Sequence, residues 1–138
     1  MLDHHDMAEV VGAQLGPGSG LTITSTADSD HVLSLAIQAV QAIPSGRTPV
    51  RPERVQARIV TNGVDTFLLD LDGRFEYRDI DWDPAGQREI LTVLALLAQA
   101  YLAGAGHEGE RRGVFGRRHS ELTLELDGET YVFRRARR

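Results

Sequence analysis

The segment Arg111-Arg112-Gly113-Val114-Phe115-Gly116-Arg117-Arg118-His119 concentrates the residue types best suited to holding an anion. Two Arg pairs flank an aromatic ring, and the glycines let backbone amides come close to a ligand. Guanidinium forks can grip phosphate oxygens while an aromatic ring stacks on a base. Arg111, Arg112, Phe115, Arg117 and Arg118 are therefore the candidate ligand- or anion-binding residues. Glu108 and Glu110 lie close enough in sequence to neutralise the same charges. The terminal Arg134-Arg135-Ala136-Arg137-Arg138 can extend the patch or serve solubility alone.

Carboxylates alternate at Asp79, Asp81 and Asp83, which on an extended segment share one face and suit an oxygen-seeking cation. Asp83 precedes Pro84, however, and that pair reads as a helix cap followed by proline at the first helical position. Asp28, Asp30 and His31 likewise read as the start of a helix, so no metal ligands are assigned. Gly16, Gly18 and Gly20 resemble a phosphate loop until position 21, which is Leu where the dinucleotide pattern needs Gly. They read as a linker. The histidines are His4, His5, His31, His107 and His119, of which His107-Glu108 and His119 could support acid–base chemistry. No Ser sits in Gly-x-Ser-x-Gly, no His-Glu-x-x-His occurs, and every basic residue is Arg. No catalytic residue and no cofactor is assigned, and the expectation is a non-enzymatic protein.

Composition narrows the classes further. The chain has 138 residues, 41% hydrophobic and 25% charged, which suits one soluble domain. Cysteine is absent, removing disulfide frameworks, thiolate metal sites and Cys nucleophiles. No apolar run approaches the 18 or more residues of a membrane span, and no signal-peptide pattern opens the chain, so no membrane partner and a cytoplasmic location are expected. Residues 1–46 carry a net charge of −5, residues 47–103 one of −2 and residues 104–138 one of +2. A dedicated duplex-binding protein is usually basic as a whole, and the net charge of −5 argues against one.

These residues need elements to position them. Met7, Val10, Val11 and Leu15 have helical spacing, and the glycines after them set residues 1–20 apart as an N-terminal arm or short helix with a linker. Residues 21–138 form one domain. Leu21-Thr22-Ile23-Thr24-Ser25 alternates as a half-buried strand does. A helix should follow, capped by Thr26 or Asp28, facing inward with Val32, Leu33, Ala36, Ile37, Val40 and Ile43, and closed ahead of Pro44.

Three strands then run from about 54 to 80. A three-residue loop at 61–63 sets Ala57 opposite Phe67 and Val55 opposite Leu69. A second at 71–73 sets Leu69 opposite Phe75 and Phe67 opposite Tyr77. One face thereby collects Val55, Ala57, Ile59, Phe67, Leu69, Phe75 and Tyr77, a core face. A long helix spans 83–103, residues 104–119 read as a Gly- and Arg-rich loop, and 121–133 is a hairpin around Asp127-Gly128. In that hairpin Leu124 faces Tyr131, Leu122 faces Phe133 and Glu121 faces Arg134.

The resulting order is β-α-β-β-β-α-β-β, an α+β single domain with a mostly antiparallel sheet of about five or six strands and two helices. In order, size and acidity it resembles the small dimeric secretion chaperones of type III systems, a likeness that no motif carries. The apolar surface of the 83–103 helix is wider than one sheet face needs. Leu91, Val93, Leu96 and the neighbouring Trp82 are therefore the candidate interface residues. The leading expectation is a protein-binding module of adaptor, immunity or secretion-chaperone type, homodimeric and with a further protein partner. The alternative is binding of RNA, single-stranded DNA or a phosphorylated ligand through residues 111–118.

Overall fold

A period of two dominates the apolar pattern of this chain, and a sheet is its consequence. The computed structural model describes residues 3–15, 21–27, 33–39, 54–112, 116 and 118–136. Helix α1 (His4–Leu15) comes first, followed by strands β1 (Leu21–Ala27), β2 (Leu33–Ala39), β3 (Gln56–Thr61), β4 (Thr66–Leu71) and β5 (Phe75–Ile80). Helix α2 (Pro84–Leu102) then leads to β6 (His107–Arg112), β7 (Arg118–Leu126) and β8 (Glu129–Arg135). Among the described residues these strands make one antiparallel sheet of eight, ordered β1-β2-β3-β4-β5-β8-β7-β6. Both helices cover one face, giving an α+β architecture with more strands than the five or six expected.

The helix expected after β1 is corrected to a strand where the structure describes it. Leu33, Leu35 and Ile37 are buried, while Ser34, Ala36 and Gln38 turn the other way. The sequence satisfies both periods, because Leu33, Ala36 and Ile37 also fit a helical stripe. Pairing with β1 on one side and β3 on the other decides for the strand. Its remaining residues, 28–32 and 40–43, lie outside the described ones.

The N-terminal segment is a helix and belongs to the core. Asp3 opens it: its Oδ1 accepts a hydrogen bond from the Asp6 amide at 2.8 Å, and that bond holds its carboxyl below the usual range. Met7, Val11 and Leu15 are buried, and α1 lies across α2. The over-wide apolar surface of α2 is thus covered within the chain. Its buried residues Ile90, Leu91, Leu94, Ala95, Leu97, Ala98 and Tyr101 face α1 and the sheet together.

Hairpin registers differ from expectation by even steps only. Between β3 and β4, Thr61 faces Phe67, Ile59 faces Leu69 and Ala57 faces Leu71. Between β4 and β5, Leu71 faces Phe75, Leu69 faces Tyr77 and Phe67 faces Asp79. An even slip keeps every side chain on its face, so Ala57, Ile59, Phe67, Leu69 and Phe75 are buried as expected. Val55 is the exception, lying before β3 and exposed. The β7–β8 hairpin has the expected register, with Leu124 opposite Tyr131, Leu122 opposite Phe133 and Glu121 opposite Arg134. Asp127 and Gly128 both have positive φ, 50° and 83°, as a two-residue turn of this type demands.

Residues 104–119 are not one long loop. Strand β6 occupies 107–112 and pairs with β7 along its whole length, from His107 opposite Thr123 to Arg112 opposite Arg118. Strand β8, by contrast, meets β5 at only two rungs, Phe75 with Arg135 and Glu76 with Arg134. Beyond them an aromatic cluster bridges the two strands, with Tyr77 set 5.7 Å from Tyr131 and 5.5 Å from Phe133 between ring centres. Among the described residues, no helix is long and apolar enough to cross a membrane.

Candidate functional site

Helix α2 is anchored at both ends by polar side chains, and the N-terminal anchor frames an apolar surface. Asn62 organises the β3–β4 loop: its Oδ1 accepts hydrogen bonds from the amides of Val64, Asp65 and Thr66 at 2.9, 3.0 and 3.1 Å. Its Nδ2 donates to Asp65 Oδ1 at 3.0 Å, and Thr61 Oγ1 accepts from the Gly63 amide at 3.1 Å. The loop is wider than the expected three residues because this side chain substitutes for a tight backbone turn. Gln87, fully buried on α2, donates from Nε2 to Val64 O at 2.9 Å and to Asp81 O at 3.0 Å. The Asp81 amide donates to Asp65 O at 2.9 Å. One side chain thus joins the β3–β4 loop, the end of β5 and the first turn of α2.

Asp83 is the N-cap of α2 with Pro84 in the first turn, as expected. Asp83 makes no side-chain cap bond, and its amide instead donates to Asp81 Oδ1 at 2.9 Å. The Asp81 carboxylate lies over Gly86, where a Cβ would collide with it. Asp79 Oδ1 accepts from the Ile80 amide. Asp79 and Asp81 therefore serve the backbone. Among the described residues no group of three or more His, Cys, Asp and Glu converges.

Around this frame stand Trp82, Ile80 and Val64, exposed at 73%, 56% and 51%. Large apolar side chains this exposed, gathered on one hydrogen-bonded corner, present a ready contact surface. Trp82 was expected at an interface. Val64 and Ile80 were not, although Ile80 shares the parity of Glu76 and Arg78 rather than of the core. An apolar residue out of phase with its strand was the legible signal. The other interface candidates are placed differently: Leu91 is buried in the chain's own core, and Val93 and Leu96 are half-buried on α2.

The C-terminal end of α2 has the opposite character. Arg54, only 4% exposed, lies over the Tyr101 ring with its guanidinium carbon 4.4 Å from the centroid. Its Nη1 donates to the carbonyls of Tyr101, at 3.0 Å, and Ala105, a cation placed where a helix exposes its last carbonyls. Tyr101 donates its hydroxyl to Asp72 Oδ2 at 2.6 Å, and Asp72 Oδ1 accepts from the Gln56 amide at 2.8 Å and the Val55 amide at 3.1 Å. Burial first, and the Asp72 carboxylate second, push the Tyr101 hydroxyl well above its ordinary range. This knot ties the β4–β5 turn to the helix end. Sequence reasoning missed it, since nothing in Arg54 or Asp72 alone shows that they meet.

The anion-binding candidates fall on the β6–β7 hairpin. Arg111 faces His119 and Arg112 faces Arg118 across its rungs, so two arginines share the last rung. Phe115 and Arg117 lie outside the described residues, as do His31, Asp28, Asp30 and the 16–20 linker. His107 and His119 occupy separate rungs. On the helix-free face, a depression of about 300 Å³ is lined by Gln56, Arg58, Asp70, Asp72, Gly73 and Val55. Desolvation raises the Asp70 carboxyl, against the pull of Arg58 opposite it. Neither a protein-family model, nor a curated protein, nor a solved structure matches the chain.

Proposed function

We propose that this protein is a non-enzymatic docking module of adaptor, immunity or secretion-chaperone type, and that it receives its protein partner on the Val64–Ile80–Trp82 corner. The observation that carries the reading is the exposure of these three side chains on a frame locked by Asn62, Gln87 and Asp81. A rigid apolar corner keeps ordering costs low, and Trp is among the residues that most often dominate interface energies. Affinity capture with the intact protein and with an Ile80→Ser/Trp82→Ala variant tests it. A partner held by the first and lost by the second supports the reading. Equal capture by both, with the variant folded, removes it. The chain's single Trp supplies a second readout, since its emission should shift to the blue when the corner is covered.

A second reading rests on the β6–β7 hairpin. Like charges placed directly opposite destabilise a ladder, and Arg112 opposite Arg118 is such a rung. A phosphorylated ligand, RNA or single-stranded DNA would relieve it. Binding of this kind weakens steeply with salt and should vanish in an Arg112→Ala/Arg117→Ala variant.

A further inference from the structure

The docking corner is apolar at its centre and acidic around it. Asp65 follows Val64 in sequence, and Asp79, Asp81 and Asp83 alternate with Ile80 and Trp82. Three of these carboxylates are held by hydrogen bonds: Asp65 accepts from Asn62 Nδ2, Asp79 from the Ile80 amide and Asp81 from the Asp83 amide. Among the described residues none of the four acids enters an ion pair. The nearest basic residues along the chain, Arg78 and Arg88, leave the corner acidic on balance. Its complement is a segment that brings apolar surface and positive charge together.

The β6–β7 hairpin has that composition. Its last rung joins Arg112 to Arg118, and the sequence between them is Gly-Val-Phe-Gly-Arg. Val114 and Phe115 are thus bracketed by Arg111-Arg112 and Arg117-Arg118, while the nearby Glu110 and Glu121 already have partners. Gly116 is exposed, and a side-chain carbon on it would meet nothing within 4 Å. The corner and this rung lie at opposite ends of the sheet. From the Glu76–Arg134–Glu121 row, β5 runs one way to Ile80 and β7 runs the other way back to Arg118. The separation is about seven residue steps, roughly 20 Å at the rise of a strand. A chain therefore does not fill its own corner with its own hairpin.

We infer that the docking corner of one copy receives the Arg112–Arg118 end of the hairpin of a second copy. The inference rests on the reading of the corner as a docking surface, and names its occupant. Val114 and Phe115 supply the apolar contact to Val64, Ile80 and Trp82. The flanking arginines face Asp79 and Asp83, and a guanidinium is also attracted to the face of the Trp82 ring. Two different surfaces meet, so every copy carries one of each. Association of this kind weakens as salt rises.

Sedimentation velocity tests it on the intact protein, on Ile80→Ser/Trp82→Ala, on Arg112→Ala/Arg117→Ala and on an equimolar mixture of the two variants. The native chain should sediment above monomer mass. Each variant alone has lost one of the two surfaces and should be a monomer with native circular dichroism. The mixture should pair, because each variant keeps the surface that the other lacks. Trp82 is the single tryptophan, so emission from the mixture comes from the hairpin variant alone and should shift to the blue. Asp83 makes no side-chain cap bond, and Asp83→Arg should weaken association about tenfold by reversing one charge of the corner. A monomeric native chain overturns the inference, and affinity capture then still decides whether the corner docks a different protein. Association that survives in the hairpin variant but not in the corner variant also overturns it, leaving the corner with another occupant. Two monomeric variants that stay apart on mixing overturn it too. Association unchanged in the corner variant overturns it and counts against the docking reading as well.

Discussion

Helix α2 ends in two polar anchors that do opposite things with their surroundings. At its C-terminus the anchor takes charge out of water: Arg54 lies under the fold, over Tyr101, and Asp72 gathers two amides and a hydroxyl. At its N-terminus the anchor of Gln87, Asp81 and Asn62 holds apolar side chains in water. Desolvating charge is costly and is tolerated where hydrogen bonds offset it. Exposing Trp, Ile and Val together contributes nothing to folding. The first end buries polar groups within the fold, and the second is the surface proposed above for a partner.

Substitutions can break this contrast, and their expected effects on stability fall in order. Asp72→Ala strips the acceptor from the Val55 and Gln56 amides and the Tyr101 hydroxyl, and should cost about 3 kcal/mol or more in urea unfolding. Gln87→Ala leaves two carbonyls without their donor in a buried place and should cost about 2 kcal/mol. It should also loosen the docking corner, so partner capture falls with it.

Tyr101→Phe removes one hydrogen bond and should cost about 1 kcal/mol near neutral pH. Its pH dependence sharpens the comparison. The folded Tyr101 titrates above its unfolded value, so the folded state keeps its proton where the unfolded chain begins to lose it. That contribution is complete below about pH 10 and declines as pH rises further. The gap between native and Phe variant, followed by unfolding midpoints, should narrow on the alkaline side. Trp82→Ala should change stability by less than about 0.5 kcal/mol, the range of an exposed site, while abolishing capture of the partner.

How far the sequence could be read depended on how local the deciding interaction was. The Asp127-Gly128 turn fixes its hairpin rung by rung, because two residues with positive φ leave one register. Around Thr61 and Leu71 the faces were legible, since parity survives an even slip, but the rungs were not. After Thr61 the loop is set by the Asn62 side chain reaching Val64, Asp65 and Thr66, and after Leu71 by Asp72 and Gly73, both with positive φ. For residues 33–39 two periods competed within a short apolar run, and neighbouring strands decided. In the docking corner, Trp82 stood out by type and Ile80 by phase. Val64 and the Arg54–Tyr101–Asp72 knot depend on which loops meet in space.

The thin junction between β5 and β8 has a mechanical meaning. Five strands on one side and three on the other are each stitched by full-length ladders, yet they share only two rungs, with Tyr77, Tyr131 and Phe133 filling the remainder. Side chains in van der Waals contact resist separation less directionally than a hydrogen-bonded ladder does, so the sheet has a built-in crease. Under load or thermal agitation the protein should open along that line first, as two boards hinged beneath α2, long before either board unravels.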